Sequence, residues 1–189
     1  MRYPRTTDKK SADKLTFQLD EKRWKSLIYR HWNELVDELS KSLVALNEKA
    51  EAMRFVPEYL YIHYLRTSVL NELPFFRLDF YDAEKWNGNT HCWVYWDAGV
   101  VTDLLFAYMP KDTSEHLSNR GEMENAKLER KWLQTADILH GIMEKAIKSL
   151  LEEALAKILD KTPYIDDCDI FYGEYMGVMK RIKSIIPLH

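Results

Sequence analysis

The stretch from 122 to 160 constrains this chain more than any other. Trp132, Ala136, Leu139, Met143, Ile147, Leu150, Ala154 and Ile158 recur every three or four residues, with no proline among them. Gly141 is the one weak point. A helix of that length carries an apolar stripe that needs a partner. Prolines at 4, 57, 74, 110, 163 and 187 divide the rest of the chain, because proline is disfavoured inside helices and central strands.

A second long helix is expected over 18–53. Trp24, Ile28, His31, Leu35, Leu39, Ser42, Leu46, Ala50 and Met53 keep the helical step, while Glu34, Asp37, Glu38, Lys41, Glu48 and Lys49 fall mostly opposite. Pro57 suits the first turn of a third helix, running to about 72 before Pro74. Its stripe would be Ile62, Leu65, Val69 and Leu73, surrounded by Tyr59, Tyr61 and Tyr64. The two long helices are expected to pack on each other, antiparallel if they are neighbours. Strict heptads are absent, which favours an intramolecular bundle over an extended coiled coil.

Residues 75–97 change period. In FFRLDFYDA, Phe76, Leu78 and Phe80 alternate with Arg77 and Asp79, the pattern of a strand. Asn87-Gly88 signals a hairpin turn, and HCWVYW at 91–96 reads as the returning strand. A short helix is expected at 98–108, a polar loop at 110–121 and a turn at DDCD, 166–169. Residues 169–186 fit a helix or a strand, with Gly173 and Gly177 tilting the reading towards a strand beside the hairpin. The expected fold class is α+β and predominantly helical: two long amphipathic helices packed with a small antiparallel sheet built on the hairpin at about 75–97. Residues 1–14 read as a mobile basic tail and 15–189 as a single globular domain.

Charge narrows the function classes. The 27 basic and 30 acidic residues leave a net charge of -3, so nucleic-acid binding by bulk charge is disfavoured. Residues 1–30 do carry nine Lys/Arg against four Asp/Glu. A basic arm touching RNA or DNA is therefore a subsidiary reading, one that requires steep weakening by salt. Cys92 and Cys168 read as two reduced thiols in a cytoplasmic protein. No apolar run approaches the roughly 18 residues of a membrane span, and no apolar segment follows the basic residues at the start. The expected location is cytoplasmic, without a membrane partner.

No Gly-rich phosphate loop, GxSxG, HExxH, paired CxxC or EF-hand pattern is present. No catalytic residue, cofactor or metal is therefore assigned. Asp166, Asp167 and Asp169 lack the closing Glu of a calcium loop and read as a solvated turn. His63, His91, Cys92 and Asp97 lack metal-ligand spacing, and His31 and His140 on the helix stripes read as satisfied structural residues.

The compositional signal is aromatic. Thirteen of the 24 aromatic residues fall between 59 and 108. Part of this cluster must be core, and part fits an interface or a pocket. The candidate binding residues are Tyr64, Arg66, Arg77, Asp79, His91, Trp93, Tyr95 and Trp96. The first functional expectation is a non-enzymatic, cytoplasmic protein-binding or regulatory module whose aromatic-rich surface near the hairpin meets another protein or a second copy of the chain. The alternative is a small-molecule receptor or enzyme with an aromatic-lined pocket. Arg66, Arg77, Asp79 and His91 would be its polar groups and loop 110–121 its lid.

Overall fold

The structure, a computed structural model, describes residues 22–71, 76–83, 92–102, 122–158, 162–165 and 168–184. Helix α1 (22–30) runs through a turn at His31 into α2 (Trp32–Met53). His31 leaves helical geometry with φ -103° and ψ 20°. The hydrogen-bond ladder still passes through it, from the His31 amide to Leu27 and from the Leu35 amide to His31. The long helix expected at 18–53 is thus two helical segments, described from residue 22. Helix α3 (Glu122–Ile158) matches the clearest periodicity in the chain.

Five strands form one mixed sheet: β1 (Tyr59–Tyr64), β2 (Phe76–Tyr81), β3 (Trp93–Trp96), β4 (Asp169–Glu174) and β5 (Met179–Ser184). Their spatial order is β3-β2-β1-β4-β5. The pairs β2–β3, β1–β2 and β4–β5 are antiparallel, and β1–β4 is parallel. The protein is therefore α+β, with a mixed sheet in place of the small antiparallel one expected.

The helix expected over 57–72 is instead strand β1 followed by a 3-10 helix (Arg66–Asn71). The reason lies in its position. β1 is central, paired on both edges, and every residue from Leu60 to Tyr64 is buried. A strand covered on both faces loses its alternation, so YLYIHY resembles a helix stripe by spacing alone. The strand reading of 169–186 holds and resolves into two strands around a turn at 175–178. They lie beside β1, not beside the β2–β3 pair. Residues 99–102 are helical, as expected for the start of 98–108. Asn87-Gly88, loop 110–121 and the tail 1–14 lie outside the described residues.

The helices cover one face of the sheet. Leu60, Ile62, Phe76, Leu78, Phe80, Trp96, Ile170 and Tyr172 point into them and pack in one buried cluster with Leu35, Leu39, Leu43, Met143, Ile147 and Leu150. The two long helices run in the same direction, contrary to the antiparallel expectation. The 25–33 segment lies against 142–153. Further along, Asp37 pairs with Lys157, the Ser40 hydroxyl reaches the Ala154 carbonyl, and Asn47 Oδ1 accepts from the Tyr164 amide. Each helix leads to a central strand, and those strands, β1 and β4, are parallel neighbours. Helices that return the chain to the start of parallel strands must themselves be parallel.

Candidate functional site

The register places the candidate chemistry on the sheet face turned away from the helices. One row across that face reads Tyr95, Arg77, His63, Gly173, Met179, and the next reads Trp93, Asp79, Tyr61, Phe171, Arg181. A charged and aromatic grid results from strands whose alternate residues build the core.

At its centre lie three polar groups. Arg77 Nε donates to Asp79 Oδ2 at 2.8 Å. His63 Nε2 stands 3.4 Å from the same oxygen, without hydrogen-bond alignment. His63 and Asp79 are fully buried, whereas the Arg77 side chain keeps 18% of its exposure. Asp79 Oδ1 accepts no hydrogen bond although it is buried, a costly arrangement in a low-dielectric site.

Burial dominates the protonation of both groups. It pushes the Asp79 carboxyl up to about 6, against the opposing pull of Arg77 and Lys49. It pushes the His63 imidazole down to about 3, helped by the positive charge of Arg77. At neutral pH the histidine is therefore neutral, and the carboxylate carries the charge that holds the arginine.

Aromatic rings wall this centre. Tyr61 stacks on His63 at 5.6 Å, and Tyr175 meets His63 edge-on at 5.1 Å. Phe171 stacks on Tyr61 at 4.9 Å, and Tyr81 meets Tyr61 edge-on at 5.0 Å. The Arg77 guanidinium lies 5.6 Å from the Trp93 ring and 4.5 Å from the Tyr175 ring, distances at which a cation is drawn to the ring faces. Lys49 reaches from α2, donating to the Trp93 carbonyl at 2.9 Å and lying 5.0 Å from its ring. Trp93 is thereby fixed on both sides at the sheet edge.

Four of the sequence-predicted residues meet here: Arg77, Asp79, Trp93 and Tyr95. Tyr64 and Trp96 do not. Both are buried on the helix-facing side, where Tyr64 stacks on His140 at 4.5 Å and Phe76 packs 5.0 Å from Trp96. Their alternation within β1 and β3 dictates this: Tyr64 has the parity of Ile62, and Trp96 that of Val94. Arg66 is exposed on the 3-10 helix, outside the strands, and pairs with Asp137 of α3 at 3.2 Å. His91 lies outside the described residues.

The other singled-out groups have local partners. His31 lies 3.0 Å from Glu34 Oε2, and Asp97 accepts from the Gly99 amide at 2.9 Å. His140 Nδ1 and the Tyr172 hydroxyl are 2.9 Å apart. Cys92 and Cys168 are buried and not joined in a disulfide, and burial pushes Cys92 up to about 11. Among the described residues no group of three or more His, Cys, Asp or Glu is arranged to hold a metal. None of the described helices is long and apolar enough to cross a membrane.

Sequence reasoning missed Lys49, Tyr61, Phe171 and Tyr175, and left His63 outside the candidate set. Reading 57–72 as a helix separated Tyr61 and His63, which share a face at the two-residue period of a strand. Tyr175 arrives from a turn about a hundred residues beyond Arg77 in the chain, and no local pattern announces that meeting. The chain matches no family model, no curated protein and no solved structure.

Proposed function

We propose that the protein is a non-enzymatic binding module of the cytoplasm, and that the outer sheet face around Arg77 meets a protein partner. One observation carries this reading: a pre-oriented arginine, tied to Asp79 and flanked by the rings of Trp93 and Tyr175, on a face with an apolar rim. Tyr95 and Tyr175 are 45% and 40% exposed, and the adjoining turn adds Met176 and Val178 at 77% and 80%. Aromatic residues, methionine and arginine are the types enriched where proteins meet. Rings held by neighbours lose little side-chain freedom on binding, which favours affinity.

The test is affinity capture from the protein's own host, comparing the wild type with Trp93→Ala and Tyr175→Ala. Each variant should lose the same captured partner, with binding weakened roughly thirtyfold, about 2 kcal/mol, while the melting curve stays cooperative. Partner recovery unchanged by both substitutions would refute the reading.

A second reading rests on the His63–Asp79 pair. Two buried titratable groups driven in opposite directions beside an arginine are a recurrent mark of ligand sites. Under it, the same face holds a small molecule against Arg77. Native mass spectrometry of gently purified protein would then show an added small mass that Arg77→Ala removes.

A further inference from the structure

A second concavity lies away from the sheet, between α1 and the middle of α3. Its origin is legible in side-chain size. On α3, Ala146 and Ser149 stand one turn apart where the helix faces Ile28, and neither fills the space that a leucine would occupy. On the other side the ring of Tyr29 stacks on Trp32 at 6.2 Å and 18°, across the His31 turn. Tyr29 remains 74% exposed. The groove has a volume of about 690 Å³, within the range of small-molecule sites. Its floor is apolar, from Ile28, Ile142 and Ala146, and among the described residues Lys145 and Glu153 of α3 line it as charged groups two turns apart.

From this we infer that the groove binds a small planar aromatic monoanion, such as an aryl carboxylate or aryl sulfonate. The ring lies on the Tyr29–Trp32 stack over the apolar floor. The acid group meets Lys145, with the Ser149 hydroxyl one turn further along the same face. Glu153 stands two turns beyond Lys145, roughly 12 Å along the helix. It repels a second acidic group at the far end, so one orientation is selected. This site is separate from the outer sheet face and does not depend on what that face binds.

The probe is naphthalene-2-sulfonate, titrated into isotopically labelled full-length protein and followed by amide chemical shifts, with 2-naphthalenemethanol as the neutral comparison. The expected result is saturable shifts confined to Tyr29–Asn33 and Lys145–Ser149. Lys145→Ala and Tyr29→Ala should each weaken binding about tenfold, and the alcohol should bind at least as weakly as the sulfonate does to Lys145→Ala. Both substitutions are at exposed positions, so the fold is preserved. Tyr175→Ala should leave the titration unchanged. Four results would each overturn the inference: no saturation up to roughly 5 mM, shifts mapping elsewhere, equal affinity for the neutral alcohol, or unaltered binding by Lys145→Ala.

Discussion

At the scale of single residues, the outer face is built on a compromise. Asp79 is worth keeping buried only because Arg77 holds it, and the residual cost shows in its raised protonation range. The two central groups respond to acid with opposite signs. His63 is neutral in the fold down to about 3 but takes a proton near 6.5 when unfolded, so its contribution falls as pH drops below 6.5. Asp79 binds its proton at about 6 in the fold and at 3.8 when unfolded, so its contribution rises as pH drops from about 6 to 4. The wild type should therefore show a muted pH response over this interval. His63→Phe removes only the first effect. Its stability relative to the wild type should improve by up to about 1.4 kcal/mol per pH unit between 6 and 4. Urea unfolding at pH 7, 5.5 and 4.5 measures this, and a difference that does not change with pH would contradict the assignment. Arg77 and Asp79 were legible as a pair because a two-residue spacing in a clear strand puts them on one face. Their burial was not, because the rings that cover them come from β1 and from beyond β4.

At the scale of elements, the strongest sequence signals survived and the central strand did not. A 37-residue helix with an unbroken stripe has no competitor as a reading, and it is present as α3. β1 failed because centrality erases alternation, leaving Ile62 among tyrosines to satisfy a helical count with Leu65 and Val69. The β4–β5 turn shows a constraint that composition does not reveal. A Cβ added at Gly173 would collide with the Val178 carbonyl oxygen and sit 3.0 Å from the Met179 Cα. The close return of the chain thus requires glycine, although its backbone angles do not. Gly173→Ala should cost about 1–3 kcal/mol and loosen the turn that delivers Tyr175 to Arg77. Hydrogen exchange should then accelerate at Tyr175, whose amide donates to the Tyr64 carbonyl at 3.0 Å. A variant as stable as the wild type would show that the turn adapts without loss.

At the scale of the whole molecule, two helices lying in one direction against a mixed sheet cover one sheet face and leave the other, with the Arg77 row, outside the helix-packed core. Parallel helix packing is directly testable. A short bismaleimide should join Tyr29→Cys to Lys145→Cys, which line one groove, and Asp37→Cys to Lys157→Cys, whose native side chains meet at 2.7 Å. Links from Tyr29→Cys to Lys157→Cys and from Asp37→Cys to Lys145→Cys in their place would require an antiparallel pair. The long helices and the strands other than β1 could be read from the sequence, but the mutual direction of the helices could not, since it follows from the β1–β4 pairing between strands more than a hundred residues apart. We propose that the face around Arg77 is the one that meets a partner. A photo-crosslinking amino acid placed at 95 or 175 on that face, and at the exposed position 156 on α3 as a comparison, tests it inside the protein's own host. One shared adduct is expected from 95 and 175 and none of that species from 156. Adducts formed equally from 156, or none from either outer-face position, would contradict it.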